Sequence, residues 1–136
     1  MIRVLIALAA VAALTGCSWE PVRVIRTSFE QAFHRYGGKH YDGGPALSAG
    51  IRKYDNGEYN AAAKDLQTAL KLGLGNSDRV RAHKYLAFIH CASNRLKSCR
   101  HEFRLALDID PQMRLTPAEA GHPIWGPIFR SVKAEH

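Results

Sequence analysis

The sequence predicts an all-α protein: two successive helix hairpins and a C-terminal capping helix, preceded by an export signal and a tether. Three observations lead there. Apolar residues recur at helical spacing from Ala46 onward. A set of glycine, alanine and aromatic positions between residues 50 and 69 returns 37 positions later. Finally, an apolar segment punctuated by prolines ends the chain, where a stack of hairpins needs a cover.

The chain opens on a short basic start, Met1-Ile2-Arg3, followed by VLIALAAVAAL at residues 4–14, which has no polar side chain. A helix needs about 20 apolar residues to cross a bilayer, so this run is too short to span. A positive start, an apolar core and then small residues make a secretory signal over residues 1–16. The tail Leu14-Thr15-Gly16-Cys17 resembles the bacterial lipobox. That resemblance implies cleavage before Cys17 and attachment of lipid, palmitate among its chains, to the cysteine. Each buried methylene contributes about 0.8 kcal/mol and stable anchoring takes more than one chain, so a triacylated cysteine stays on a membrane. In the lipoproteins this resembles, Asp after the cysteine retains the protein at the inner membrane. Residue 18 is Ser, which implies the outer membrane, facing the periplasm.

Residues 17–44 read as the tether. Pro21 interrupts regular structure, and Ser28 is placed to cap a short helix to Tyr36, with Phe29, Ala32, Phe33 and Tyr36 on one face. Gly37-Gly38 and Gly43-Gly44-Pro45 then break the chain twice. The patch either docks on a surface or is part of an unstructured linker.

Residues 45–136 read as the helical domain. The first hairpin is GIRKYDNGEYNAAAKDLQTALKL, residues 50–72, with Gly50, Tyr54, Gly57, Tyr59, Ala62, Leu66 and Ala69 in sequence. The second is AFIHCASNRLKSCRHEFRLALDIDP, residues 87–111, aligning Ala87, Cys91, Asn94, Leu96, Cys99, Phe103 and Ala106 with them at a constant offset of 37. The pattern resembles a tetratricopeptide repeat, whose usual period is about 34 residues. Small residues fall where two helices approach closely, because a large one holds the axes apart. The three extra residues are assigned to a glycine-rich turn at residues 73–77, and Pro111 closes the second copy.

The helix expected over residues 78–92 carries Val80, Tyr85, Leu86, Ala87, Phe88, Ile89 and Ala92 on more than one face. Such a helix has neighbours on both sides, as the middle element of a stack does. After it and its partner, Thr116-Pro117-Ala118-Glu119 reads as a capping box with proline at the first helical position. A capping helix is then expected from Pro123 or Pro127 to Lys133, with Ile124, Trp125, Ile128, Phe129 and Val132 supplying its apolar surface. Trp125 and its neighbours either seal the second hairpin or form an edge that docks a partner.

Reactive chemistry finds little support. Cys91 and Cys99 flank one turn, close enough for a disulfide in an oxidising compartment; otherwise they are two small buried residues. Paired with His90 or His101 they have the residue types of a nucleophile and base, but both fall at packing positions and have each other as partner. His83 and His90 lie two helical turns apart, and no HExxH or paired CxxC occurs, so no metal is expected. No enzyme activity, no small-molecule substrate and no cofactor beyond the lipid is expected either. The 19 basic against 12 acidic residues give a formal charge of +7, spread without a long basic block, and an envelope location leaves no role for nucleic acid.

Over most of residues 17–136 the chain resembles the TssQ-type lipoproteins associated with type VI secretion, most specifically in YLAFIHCASNRLKSCRHEFRLALDIDP and PAEAGHPIWGP. The resemblance implies a non-enzymatic accessory of that system's envelope-spanning complex, meeting periplasmic or membrane proteins. Stacked hairpins present a groove from their first helices. Here the groove offers Arg52, Lys53, Tyr54, His83, Lys84 and His90, with Trp125 beyond, and its cations suggest an acidic or carboxylate ligand. The competing function is a pilotin or outer-membrane assembly accessory, since repeat-bearing lipoproteins also serve there.

Overall fold

The computed structural model describes residues 41–136. These form six helices: α1 (Gly44–Asp55), α2 (Tyr59–Leu72), α3 (Asn76–Ala92), α4 (Leu96–Ile109), α5 (Pro117–Ala120) and α6 (Trp125–Glu135). No strand occurs among the described residues, and the protein is all-α as its periodicity predicts. Cys17, the signal and the expected helix at residues 28–36 lie outside the described residues.

α1 packs on α2 and α3 on α4; α3 also contacts α1 and α2, which stacks the two hairpins, and α6 lies on α3 and α4. The small residues do what the repeat requires. A Cβ on Gly50 would sit 2.9 Å from Leu66 Cγ and 3.2 Å from the Ala62 carbonyl, so only glycine lets α1 approach α2 at that depth. Ala62, Leu66 and Ala69 on α2 are fully buried, and so are Cys99, Phe103 and Ala106 at the same three places on α4.

The turn inside each hairpin is also repeated. Gly57 (φ 80°) and Asn94 (φ 57°), 37 residues apart, both adopt the left-handed conformation. Glycine is free to do so, and asparagine tolerates it better than other side chains. The hydrogen bonds correspond too: Glu58 N–H donates to the Lys53 carbonyl at 2.8 Å, and Arg95 N–H to the His90 carbonyl at 2.8 Å.

α3 is buried on two faces. Ala82, Leu86 and Ile89 join Leu47, Ala62, Leu66, Ala69 and Leu74 in a first cluster. Ala87, Phe88 and Cys91 join Cys99, Phe103, Phe129 and Val132 in a second.

Two boundaries differ from expectation. The link between hairpins is only residues 73–75, because Asn76 and Ser77 are helical and the extra residues of the second copy lengthen the first turn of α3. Asp78 in that turn favours helix, since a carboxylate there interacts well with the helix dipole. The domain also begins earlier than residue 45. Gly44 opens α1, and Gly43, assigned to the tether, is buried with its N–H donating to the Gly73 carbonyl at 3.0 Å. A side chain there would collide with the Ala69 and Gly73 carbonyls.

At the C-terminal end the Thr116 side chain accepts from Glu119 N–H while Glu119 accepts from Thr116 N–H, the expected capping box. α6 starts at Trp125, between the two prolines proposed for it. Pro127 then falls in the first turn, where a missing N–H removes no intrahelical bond. Phe129 and Val132 press into the second cluster, and Lys133 Nζ donates to the Met113 carbonyl at 2.6 Å, so α6 caps the second hairpin.

Candidate functional site

An aromatic row crosses the seam between the hairpins. Tyr54, in the last turn of α1, and Tyr85, midway along α3, pack against both hydrophobic clusters. Their ring centroids are 5.0 Å apart, edge to face, and Tyr59 at the start of α2 lies 5.5 Å from Tyr54. Phe88 follows at 6.0 Å from Tyr85 and stacks on Trp125 at 4.7 Å, which in turn stacks on His122. The row thus runs from α2 through α1 and α3 to α6.

Charge is arranged along it. Lys84 Nζ donates to Glu119 Oε1 at 2.7 Å and lies 5.3 and 5.7 Å from the centroids of Tyr85 and Phe88. Burial, together with Tyr59, Tyr85, Glu119 and Asp55, pushes the Tyr54 hydroxyl up to about 12. Burial also raises Tyr85, helped by Asp55 and Glu119 and opposed by Arg81. Both phenols therefore stay protonated and polar-tipped at neutral pH, with their bodies fixed by packing.

The residues expected to line the groove are only partly brought together. Tyr54 and Lys84 lie in the row. Lys53 instead donates to Asp65 of α2 at 2.7 Å, bracing its own hairpin. Arg52 is exposed and borders, with Lys53, a shallow depression of about 450 Å³ that also includes Ala49, Asp55, Asn56 and Glu58. His83 is buried, its Nδ1 2.8 Å from Glu102 Oε2 on α4, and so ties the second hairpin together. His90 Nδ1 is buried without a hydrogen-bond partner among the described residues; burial, then Arg95, lower its pKa, against an opposing contribution from Glu102. Trp125 is half-buried between Phe88 and His122, so it seals more than it projects.

Cys91 and Cys99 are joined as a disulfide across the turn between α3 and α4, with Cα atoms 5.1 Å apart. No cluster of metal-ligating side chains and no membrane-spanning helix occurs among the described residues. Sequence reasoning missed Tyr59, Tyr85 and Asp55 as members of the site. Alignment of Tyr59 with the exposed Leu96 was the available signal, since two exposed large side chains open the second helices.

The Lys84–Glu119 contact gives a pH prediction. Burial alone would raise the Glu119 carboxyl, but Lys84 and the Thr116 cap outweigh it and hold it below the ordinary glutamate range. A depressed folded-state pKa contributes stability above the unfolded value and loses it as pH falls through the folded one. Acidification from the ordinary glutamate range downward is therefore expected to loosen the α5 segment from α3. Trp125 fluorescence against pH should follow this, and in Lys84→Met the acid transition should move to higher pH.

The fold and this face define a small helical-hairpin protein with an aromatic seam. No protein-family model, no curated protein and no solved structure matches the chain.

Proposed function

We propose that the chain is a non-enzymatic lipoprotein scaffold. Lipid on Cys17 anchors it to the outer membrane, facing the periplasm, and its helical domain holds a protein partner as an accessory of a type VI secretion envelope complex. The observation that carries the binding role is the group Tyr59, Tyr54 and Tyr85 at the seam of the stacked hairpins, set on the buried Phe88 and the half-buried Trp125. Tyrosine and tryptophan concentrate binding energy at protein interfaces, because they bring large rigid area with a polar tip. The LTGC tetrad supports the anchor, and the resemblance in YLAFIHCASNRLKSCRHEFRLALDIDP and PAEAGHPIWGP supports the secretion role.

Two measurements test this. Exporting the chain behind a cleavable, non-lipidating signal, with Cys17→Ala, should shift it from the detergent-extracted membrane fraction to soluble periplasm. Retention on the membrane would exclude lipid as the anchor. A photo-crosslinking residue at position 59 in intact envelopes should yield an adduct with a membrane-complex protein of the secretion system. An adduct with a pilus or outer-membrane assembly protein would replace that role with the competing one, and no adduct would remove the binding role.

A further inference from the structure

Resting on the reading of the seam as a partner-binding face, the charge around it identifies the chemistry of the partner. The lysines that suggest an acidic ligand are already neutralised: Lys53 by Asp65 and Lys84 by Glu119, each at 2.7 Å. Arg81, beside Tyr85, is held by Asp78 at 3.0 Å. At the Tyr59 end of the row the balance is the reverse of the chain as a whole. Asp55 and Glu58 adjoin Tyr54 and Tyr59 in the chain, and neither forms an ion pair with a described residue. Arg52, on the depression that these two carboxylates border, is its one cation without an ion pair among the described residues. A locally acidic spot in a chain of net charge +7 is a feature of its place and not of composition.

The rings beside this spot suit a cation. Tyr54, Tyr59 and Tyr85 converge with centroids 5.0 and 5.5 Å apart, and Tyr59 is 41% exposed. The field of Asp55 reaches both Tyr54 and Tyr85. Further along the row a cation is already held in this manner, the Lys84 ammonium near the Tyr85 and Phe88 rings with Glu119 as its carboxylate. Aromatic faces attract ammonium and, more often, guanidinium groups, whose planar form also stacks on rings.

We propose that the tyrosine end of the seam receives a basic segment of the partner protein, an arginine or lysine lying over Tyr54 and Tyr59 with Asp55 as its counter-ion. Lys84 and Glu119 form the built-in counterpart of this contact, and the incoming side chain repeats it at the exposed Tyr59 end.

The test uses the mature lipoprotein, residues 17–136, in detergent, with fluorescein-labelled hexa-arginine and hexa-glutamate peptides followed by anisotropy at low salt. Overall charge repels the arginine peptide, so its binding reports the local site. Asp55→Lys is expected to weaken that binding about tenfold through like-charge contact, and Tyr59→Leu about fivefold through loss of the ring face. Both positions are exposed, and far-UV circular dichroism checks that the fold is kept. Tighter binding of the glutamate peptide, or arginine binding indifferent to both substitutions, would overturn the proposal. In envelopes, a crosslink from position 59 whose yield is unchanged by Asp55→Lys would overturn it too while leaving the scaffold role standing; absence of any crosslink removes both.

Discussion

Phe103→Ala is expected to lower the unfolding free energy by about 3–5 kcal/mol. Phe103 is fully buried on α4, with its ring 6.0 Å from Phe88 on α3 and 5.2 Å from Phe129 on α6. One side chain thus joins three helices. Its removal takes away both its own transfer energy and the contact that seats α6. Relaxation is limited, because α3 is fixed on its other face by Ala82, Leu86 and Ile89. Urea unfolding of the two forms measures the difference. Phe103→Leu installs the residue found at the equivalent Leu66, and is expected to cost under about 1.5 kcal/mol because it keeps most of the volume. An alanine variant that loses less than the leucine variant would mean that α6 is not seated on Phe103.

Much of this core is legible in the sequence, and the reason is local. Gly50 with Ala87, Ala62 with Cys99 and Ala69 with Ala106 recur at one offset because two helices cannot approach there past a larger side chain. Small size at a fixed spacing is visible in sequence. Charge pairing is not. Lys84 and Glu119 stand 35 residues apart, and nothing local distinguishes a lysine folded onto a carboxylate from one left in water. The groove expected from Lys53, His83 and Lys84 therefore changed character once each proved to be bonded to Asp65, Glu102 and Glu119. The place of Gly43 is hidden for a similar reason. Gly43-Gly44-Pro45 reads as a break, while the constraint on Gly43 is the Ala69 carbonyl, contributed by another helix.

Reducing the Cys91–Cys99 disulfide is expected to lower stability by about 2.5 kcal/mol, from the entropy of closing so short a loop in the unfolded chain. The two cysteines are 8 residues apart and hold the end of α3 to the start of α4. They brace the turn that the first hairpin makes without a cross-link, around Gly57. Asn94 in the left-handed region costs more than glycine there, so the bond secures the less favourable copy of the same turn. Comparing unfolding midpoints with and without reductant gives the size of the effect. The double variant Cys91→Ala, Cys99→Ala should unfold near the reduced protein, since Ala62 already occupies the site equivalent to Cys99 without strain. Asn94→Gly placed in that double variant should then recover about 1 kcal/mol. No recovery would mean that the turn, with its bond removed, does not retain the left-handed residue, and that the cross-link shapes the second hairpin as well as stabilising it.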